Sequence, residues 1–248
     1  MISNIRIVAT IGPISANEKA LRSFYKSGMN VARLNGSHNT LSWHRSTIRL
    51  IRRILPKVPI ILDIPGNVIE CGIFFGGGLM TSAHLSSIFE SINFERKIIG
   101  FDTFKGLTEL SKFDSKSSPL AKKGAFAANS FDDLQKCIKL YDSNRFLNHL
   151  EKIQIIRGNA VKTIPKFLKD NPQTIISLLN LDFLLYEPSK IALENFVPRM
   201  PKNSIIAFNT LTDAKWPGTM HAVKDTLGIK NREFKRFSFN PYIQYLVL

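Results

Sequence analysis

Strand and helix signals alternate from one end of the chain to the other, and no other feature constrains the fold as tightly. Short β-branched, apolar runs fall at residues 5–11, 30–34, 59–63, 67–71, 97–101, 152–157, 174–182 and 204–208, with amphipathic, capped stretches between them. Strands joined through helices must cross over in one hand, so the pattern predicts a parallel α/β architecture. Asn17 reads as the cap of a helix over 18–26 that Ser27-Gly28 ends. Thr40 or Ser42 opens a second helix reaching Leu55, which Pro56 closes. Residues 5–63 thus form βαβαβ, three-eighths of a β/α barrel and too little to close one. A second series starts at Pro65. It carries helices at 76–91, 132–144, 161–169, 188–197 and 218–227, and two closing strands within 233–248. Residues 112–123 are polar and read as a surface loop or lid. The boundary is expected near Ile64, without a flexible linker, giving a 1–63 segment and a 64–248 domain.

The 248 residues are 44% apolar and 21% charged, enough for a full hydrophobic core. Residues 175–185 are the longest apolar stretch, and Ser177, Asn180 and Asp182 interrupt it, so no membrane span is expected. The N-terminus lacks a signal peptide's apolar segment. Cys71 and Cys137 are too few for a disulfide framework or a cysteine metal cluster, and the expectation is a soluble, reduced, cytoplasmic protein.

Charge is lopsided: the net is +15, and residues 1–66, with ten Lys/Arg and two acids, carry +8 of it. This surface either favours anionic ligands or simply solubilises. Arg45, Arg49, Arg52 and Arg53 stand at helical spacing and make a basic face, either solvated or phosphate-directed. No stacking-aromatic signature accompanies it, so nucleic acid is not the expected partner.

VIECGIFFGGG, residues 68–78, is the most informative short motif. A strand ends in Glu70, then Gly72, Gly76 and Gly77 open a helix. Glycines without Cβ atoms let backbone approach a ligand, and the helix start adds N–H donors. The alternative is a turn that eases helix–strand packing. After the next strand Asp102 is placed either to accept ribose hydroxyl protons or to cap a helix.

The blocks IPGNVIECGIFFGGG, FDTFKGL, IIRGNAVKTIPKFL, LNLDFLLYEPSKIALENFVPRM, IIAF and WPGTMHAV then resemble the macrocin O-methyltransferase family, class I S-adenosylmethionine-dependent enzymes acting on sugars of macrolides and related compounds. The resemblance covers residues 64–248 and implies a Rossmann-like sheet. It also implies S-adenosylmethionine binding by the loop of Glu70, Gly72, Gly76 and Gly77, with Asp102 on the ribose and Gly158-Asn159 near the adenine. Family members use a divalent metal held by acids in an L-D-x-D-L-Y-E block and a later acidic pair. Here Asp182 is kept, Leu184 replaces the second acid, and the later pair falls at Asn209-Thr210. Asp182 with Asn209 is the remaining metal set, and a poor one, since hard cations favour several charged oxygens. Asp182 is also the catalytic candidate: it orients or deprotonates a hydroxyl, or it is a strand-end carboxylate on backbone N–H groups. His149, His221, Tyr186 and Glu187 are weaker candidates by residue type.

IRIVATIGPISANEKALRSFYKSGMNVARLNGSHNT followed by PIILD resembles the first βαβαβ of pyruvate kinase. Carried over, Arg33 and Ser37 would meet a phosphate, and Asn35, Ser37 and Asp63 a monovalent cation. The lid domain and remaining barrel strands have no counterpart here, so pyruvate kinase turnover is not expected. The segment reads as an accessory packed on the following domain or on a partner chain, including a second copy. The expected function is O-methylation of a small sugar or polyol. The rival is a catalytically degenerate descendant with a binding or regulatory role.

Overall fold

The computed structural model describes residues 7–36, 38–90, 93–114, 118–237, 239, 240 and 242–248. The chain divides into two compact units, Met1–Pro65 and Gly66–Leu248. The first holds β1 (Ile7–Thr10), α1 (Glu18–Lys26), β2 (Met29–Asn35), α2 (Leu41–Ile54) and β3 (Ile60–Asp63) in a parallel sheet of order β1-β2-β3. Its helix starts follow local chemistry. Asn17 accepts from Ala20 N–H at 2.9 Å and Thr40 from Trp43 N–H at 3.1 Å, each satisfying a first-turn donor. Leu21 and Ile51 pack from the helices onto Ile11, Ala32 and Leu34, forming the unit's own core.

The second unit contains β4 (Asn67–Cys71), α3 (Gly77–Phe89), β5 (Ile98–Asp102), α4 (Phe131–Ser143), β6 (Ile153–Arg157), α5 (Ala160–Asp170), β7 (Ile176–Leu181), α6 (Tyr186–Phe196), β8 (Ile205–Phe208), α7 (Gly218–Thr226), β9 (Lys235–Arg236) and β10 (Gln244–Val247). The strand order is β6-β5-β4-β7-β8-β10-β9, parallel from β6 to β8, with β10 antiparallel to both neighbours. This is the Rossmann-like sheet that the sequence predicts. Alternation along β7 and β8 points Leu179, Leu181, Ile206 and Phe208 into a core under α5, α6 and α7. A smaller core, with Leu79, Ala83, Leu134 and Ile138, fills the space between the sheet and α3 and α4. Strand order reverses at β4, which has β5 on one side and β7 on the other. A crevice therefore opens past the carboxyl ends of these strands. Among the described residues no helix is long and apolar enough to cross a membrane.

Candidate functional site

A cavity of about 360 Å³ occupies that crevice. Its floor comes from the ends of β4, β5, β7 and β8: Gly72, Asp102, Asp182 and Asn209. Gly158-Asn159 flank it, and the loops after β5 and β8 roof it with Leu107, Phe126 and Trp216. Of the residues assigned to cofactor or chemistry from sequence, Gly72, Asp102, Asn159, Asp182 and Asn209 line this cavity together. Glu70, Gly76 and Gly77 are not among the residues that line it.

The glycines are required chiefly by the protein's own atoms. Gly72 has φ +90°, and a Cβ there would collide with the Asp182 carbonyl, because β4 and β7 converge where Asp182 N–H donates to Cys71 C=O at 2.8 Å. Gly76 caps α3 with φ +84°, and a Cβ would run into Leu134 of α4. Gly78, lacking a Cβ, lets the Glu70 carboxyl lie against the first turn of α3, whereas a Cβ on Gly77 would meet nothing. Asp102 lines the cavity and also braces the backbone around it. Its Oδ2 accepts from Ile73 and Phe74 N–H at 2.7 and 2.9 Å, and its Oδ1 from Phe104 N–H at 2.7 Å, so it fixes the glycine loop and the start of the roof. Asn159 caps α5 through Val161 N–H at 3.0 Å.

Asp182 is the polar centre of the other half. Asn209 Nδ2 donates to its Oδ2 at 2.8 Å. Burial raises the Asp182 carboxyl to about 6, and the Asn209 bond pulls the other way. Glu70 is raised further, to about 8, first by burial and then by the Asp182 and Asp102 charges, with a hydrogen bond to Asn180 partly opposing them. Glu70 is therefore neutral at pH 7, and the acid cluster is tolerated because one member keeps its proton.

The donor set does not fit a divalent metal. One Asp182 oxygen is already taken by an N–H donor, Leu184 presents carbon, and among the described residues no three His, Cys, Asp or Glu side chains converge on a metal position. His149 and Glu187 are exposed and His221 packs on Phe113; none of these lines the cavity. Tyr186 is buried and donates its hydroxyl to Asp225 at 2.9 Å.

The roof was only partly readable. Asp114, buried in the polar loop, accepts from Tyr186 N–H at 2.8 Å and from Ser111 N–H at 2.7 Å, clamping that loop to the start of α6. Phe126 and Trp216 meet edge to face, 5.5 Å between centroids, across the two roof loops. In the first unit Arg33 Nε donates to Asp63 Oδ2 at 2.9 Å and Nη1 to Thr10 at 3.0 Å, so the guanidinium proposed for phosphate is held by its own carboxylate. Ser37 lies outside the described residues. The arginines of α2 are exposed.

A parallel sheet reversing at β4, a glycine-led α3, an acid at the end of β5 and an antiparallel β10 are together the class I methyltransferase fold. The known relatives agree. A solved structure of CalS11, described as a calicheamicin methyltransferase, is 28% identical with a TM-score of 0.72 and covers 96% of this chain and 93% of that one. An apo structure of CalS11, a TDP-rhamnose 3'-O-methyltransferase, is 33% identical with a TM-score of 0.63 over 75% of this chain and 73% of that one. The O-methyltransferase NovP, at 16% identity and TM-score 0.58, shares the fold. The chain belongs, through its Gly66–Leu248 unit, to the macrocin O-methyltransferase family of class I methyltransferases. A family model described as "Pyruvate kinase, barrel domain" matches residues 2–95. Pyruvate kinases of Trypanoplasma borreli and Thermococcus litoralis are 38% and 41% identical over 87 and 71 residues. Those matches take in 34% and 27% of this chain, but only 18% and 15% of the enzymes themselves.

Proposed function

We propose that this chain is an S-adenosylmethionine-dependent O-methyltransferase acting on a hydroxyl of a small molecule, in the class of sugars and polyols of natural products or glycans. The observation that carries the reading is the joint placement of Gly72, Asp102, Asn159 and Asp182 around one cavity at the strand-order reversal. CalS11's own activity on TDP-rhamnose supports the acceptor class. When bound, S-adenosylmethionine supplies an electrophilic methyl group. The chain's residues fit it: Asp102 accepts from ribose hydroxyls while keeping the glycine loop in place, and Gly158-Asn159 flank the adenine. Asp182 accepts the hydrogen bond, and then the proton, of the acceptor hydroxyl, with Asn209 fixing its orientation.

Calorimetry with S-adenosylhomocysteine tests the cofactor assignment. Asp102→Ala is expected to weaken binding by about 1.5–3 kcal/mol, the value of hydrogen bonds to a charged group. Asp102→Asn is expected to lose less, because it keeps an acceptor for the loop. Unchanged affinity in Asp102→Ala would remove that residue from the site. A second reading, a fold-retaining protein without turnover, is favoured by Leu184 in place of an acid. Absence of methyl transfer despite tight S-adenosylhomocysteine binding would select it.

A further inference from the structure

The chain has a net charge of +15, yet the charged lining of its cavity is all of the other sign. Asp102, Asp182 and Asp213 line it, and among the described residues no Lys, Arg or His does. The hydrogen bonds these acids accept come from uncharged donors. Asp102 holds three backbone N–H groups, Asp182 the Asn209 amide, and Asp213 Oδ1 the Lys215 N–H at 2.8 Å. One short loop carries the acceptor half of the lining. It runs from Asn209, bonded to Asp182, to Asp213, whose N–H donates to Thr210 C=O at 3.2 Å. Besides the Thr210 hydroxyl, this loop brings the Asn209 carbonyl oxygen and Asp213 Oδ2, both of which only accept. The roof adds aromatic surface. Trp216 N–H donates to Asp213 C=O at 3.0 Å, so one turn carries a carboxylate and an indole to the same wall, and Phe126 meets that indole edge to face.

We infer that the acceptor is an amine-bearing sugar or polyol: it presents a hydroxyl to Asp182 and a protonated amine to Asp213 beside Trp216, and it carries no phosphate into the cavity. An ammonium has three N–H donors and no acceptor, which matches a lining rich in acceptor oxygens, and aromatic faces attract its charge. The inference rests on the methyltransferase reading and narrows its acceptor. Counting charge leads to the same class. S-adenosylmethionine, with its sulfonium, ammonium and carboxylate, brings a net single positive charge against three carboxylates. An ammonium on the acceptor offsets a second, and the third, Asp182, is the one that takes the hydroxyl proton. A phosphate would add negative charge to a cavity whose walls supply no cationic side chain among the described residues. Asp213 is then the residue that sets specificity for the amine.

The test uses the full chain saturated with S-adenosylhomocysteine and three matched probes, D-glucosamine, D-glucose and D-glucose 6-phosphate, titrated by calorimetry at pH 7. The expected result is D-glucosamine binding about tenfold or more tighter than D-glucose, the difference a hydrogen bond between charged groups makes, with D-glucose 6-phosphate the weakest of the three. Asp213→Asn keeps a carbonyl oxygen for the Lys215 N–H, so it is expected to fold, which S-adenosylhomocysteine binding by the variant checks. It is expected to shrink the preference for the amine to about threefold or less while D-glucose binds as before. Equal or tighter binding of D-glucose or its phosphate by the unsubstituted protein, or an unchanged preference in Asp213→Asn, would overturn the inference. So would failure of D-glucosamine to bind while S-adenosylhomocysteine binds. Failure of S-adenosylhomocysteine itself to bind would overturn the methyltransferase reading, and this inference with it.

Discussion

Glu70→Gln isolates the most perturbed acid of the site. In the folded chain the carboxyl titrates near 8 against 4.5 for an ordinary glutamate, because burial and the Asp182 and Asp102 charges all oppose ionisation. The unfolded chain releases that proton around pH 4.5 while the native chain keeps it. Stability is therefore full below pH 4.5 and declines as pH rises towards 8, where the native group also ionises and the decline stops. Each pH unit through the window removes about 1.4 kcal/mol, so the loss reaches about 3 kcal/mol by pH 7 and about 4 kcal/mol by pH 8. A glutamine keeps the shape and a carbonyl for Asn180, adds N–H donors towards the neighbouring carboxylates, and has no proton to lose. The difference in unfolding free energy between Glu70→Gln and the unsubstituted chain is thus expected to move in the variant's favour from pH 5 to pH 8. Urea denaturation at matched ionic strength measures it, and Asp182 titration largely cancels between the two proteins. A difference that stays constant across that range would refute a buried Glu70 that keeps its proton.

Three further outcomes follow from the same geometry. Methyl transfer is expected to survive a chelator, because Leu184 and Asn209 stand where acids would complete a metal set around Asp182. Complete loss that added magnesium reverses would show the donor set to be misread. Asp114→Ala removes the acceptor for Tyr186 and Ser111 N–H groups in a buried setting, so a loss of about 2–3 kcal/mol is expected by thermal unfolding; a change below about 0.5 kcal/mol would contradict the clamp. Residues 1–65 expressed alone are expected to show no cooperative unfolding transition, since a three-stranded sheet of this size buries too little surface; a stable monomer would refute this.

Most elements were legible because their signals are local. Asn17 and Thr40 cap α1 and α2 through their own side chains, and period-two alternation marks β7 and β8. A proline in the first turn predicts that α6 starts at Pro188, whereas the helix begins at Tyr186. Its cap is Asp114, seventy-two residues earlier, and no local pattern announces a donor satisfied from that distance. The same holds for the roof of the cavity. Leu107, Phe126 and Trp216 come from separate loops, and only the reversal of strand order at β4 brings them together. In the glycine run, the packing alternative holds at Gly76, which Leu134 demands, and Gly72 lines the cavity.

The pyruvate kinase match runs to residue 95, thirty residues beyond Pro65, and physical pairing decides where those thirty residues belong. A short apolar strand followed by a glycine turn satisfies the start of a barrel repeat and of an open α/β sheet equally well. What separates the two is the partner on each side. β3 pairs with β2, whereas β4 pairs with β5 and β7 and is central in the seven-stranded sheet. Two features within residues 66–95 have meaning only in that second setting. Gly66 has no room for a Cβ because the Ile175 and Ile176 backbone lies 2.8–2.9 Å from where one would stand, and that backbone leads into β7. Glu70 sits on α3 at Gly78, its proton retained by burial and then by the charges of Asp182 and Asp102, which stand at the ends of β7 and β5. A sequence match follows the local rhythm of strand and turn. The steric demand on Gly66 and the charge environment of Glu70 follow the sheet, and they assign β4 and α3 to the methyltransferase unit.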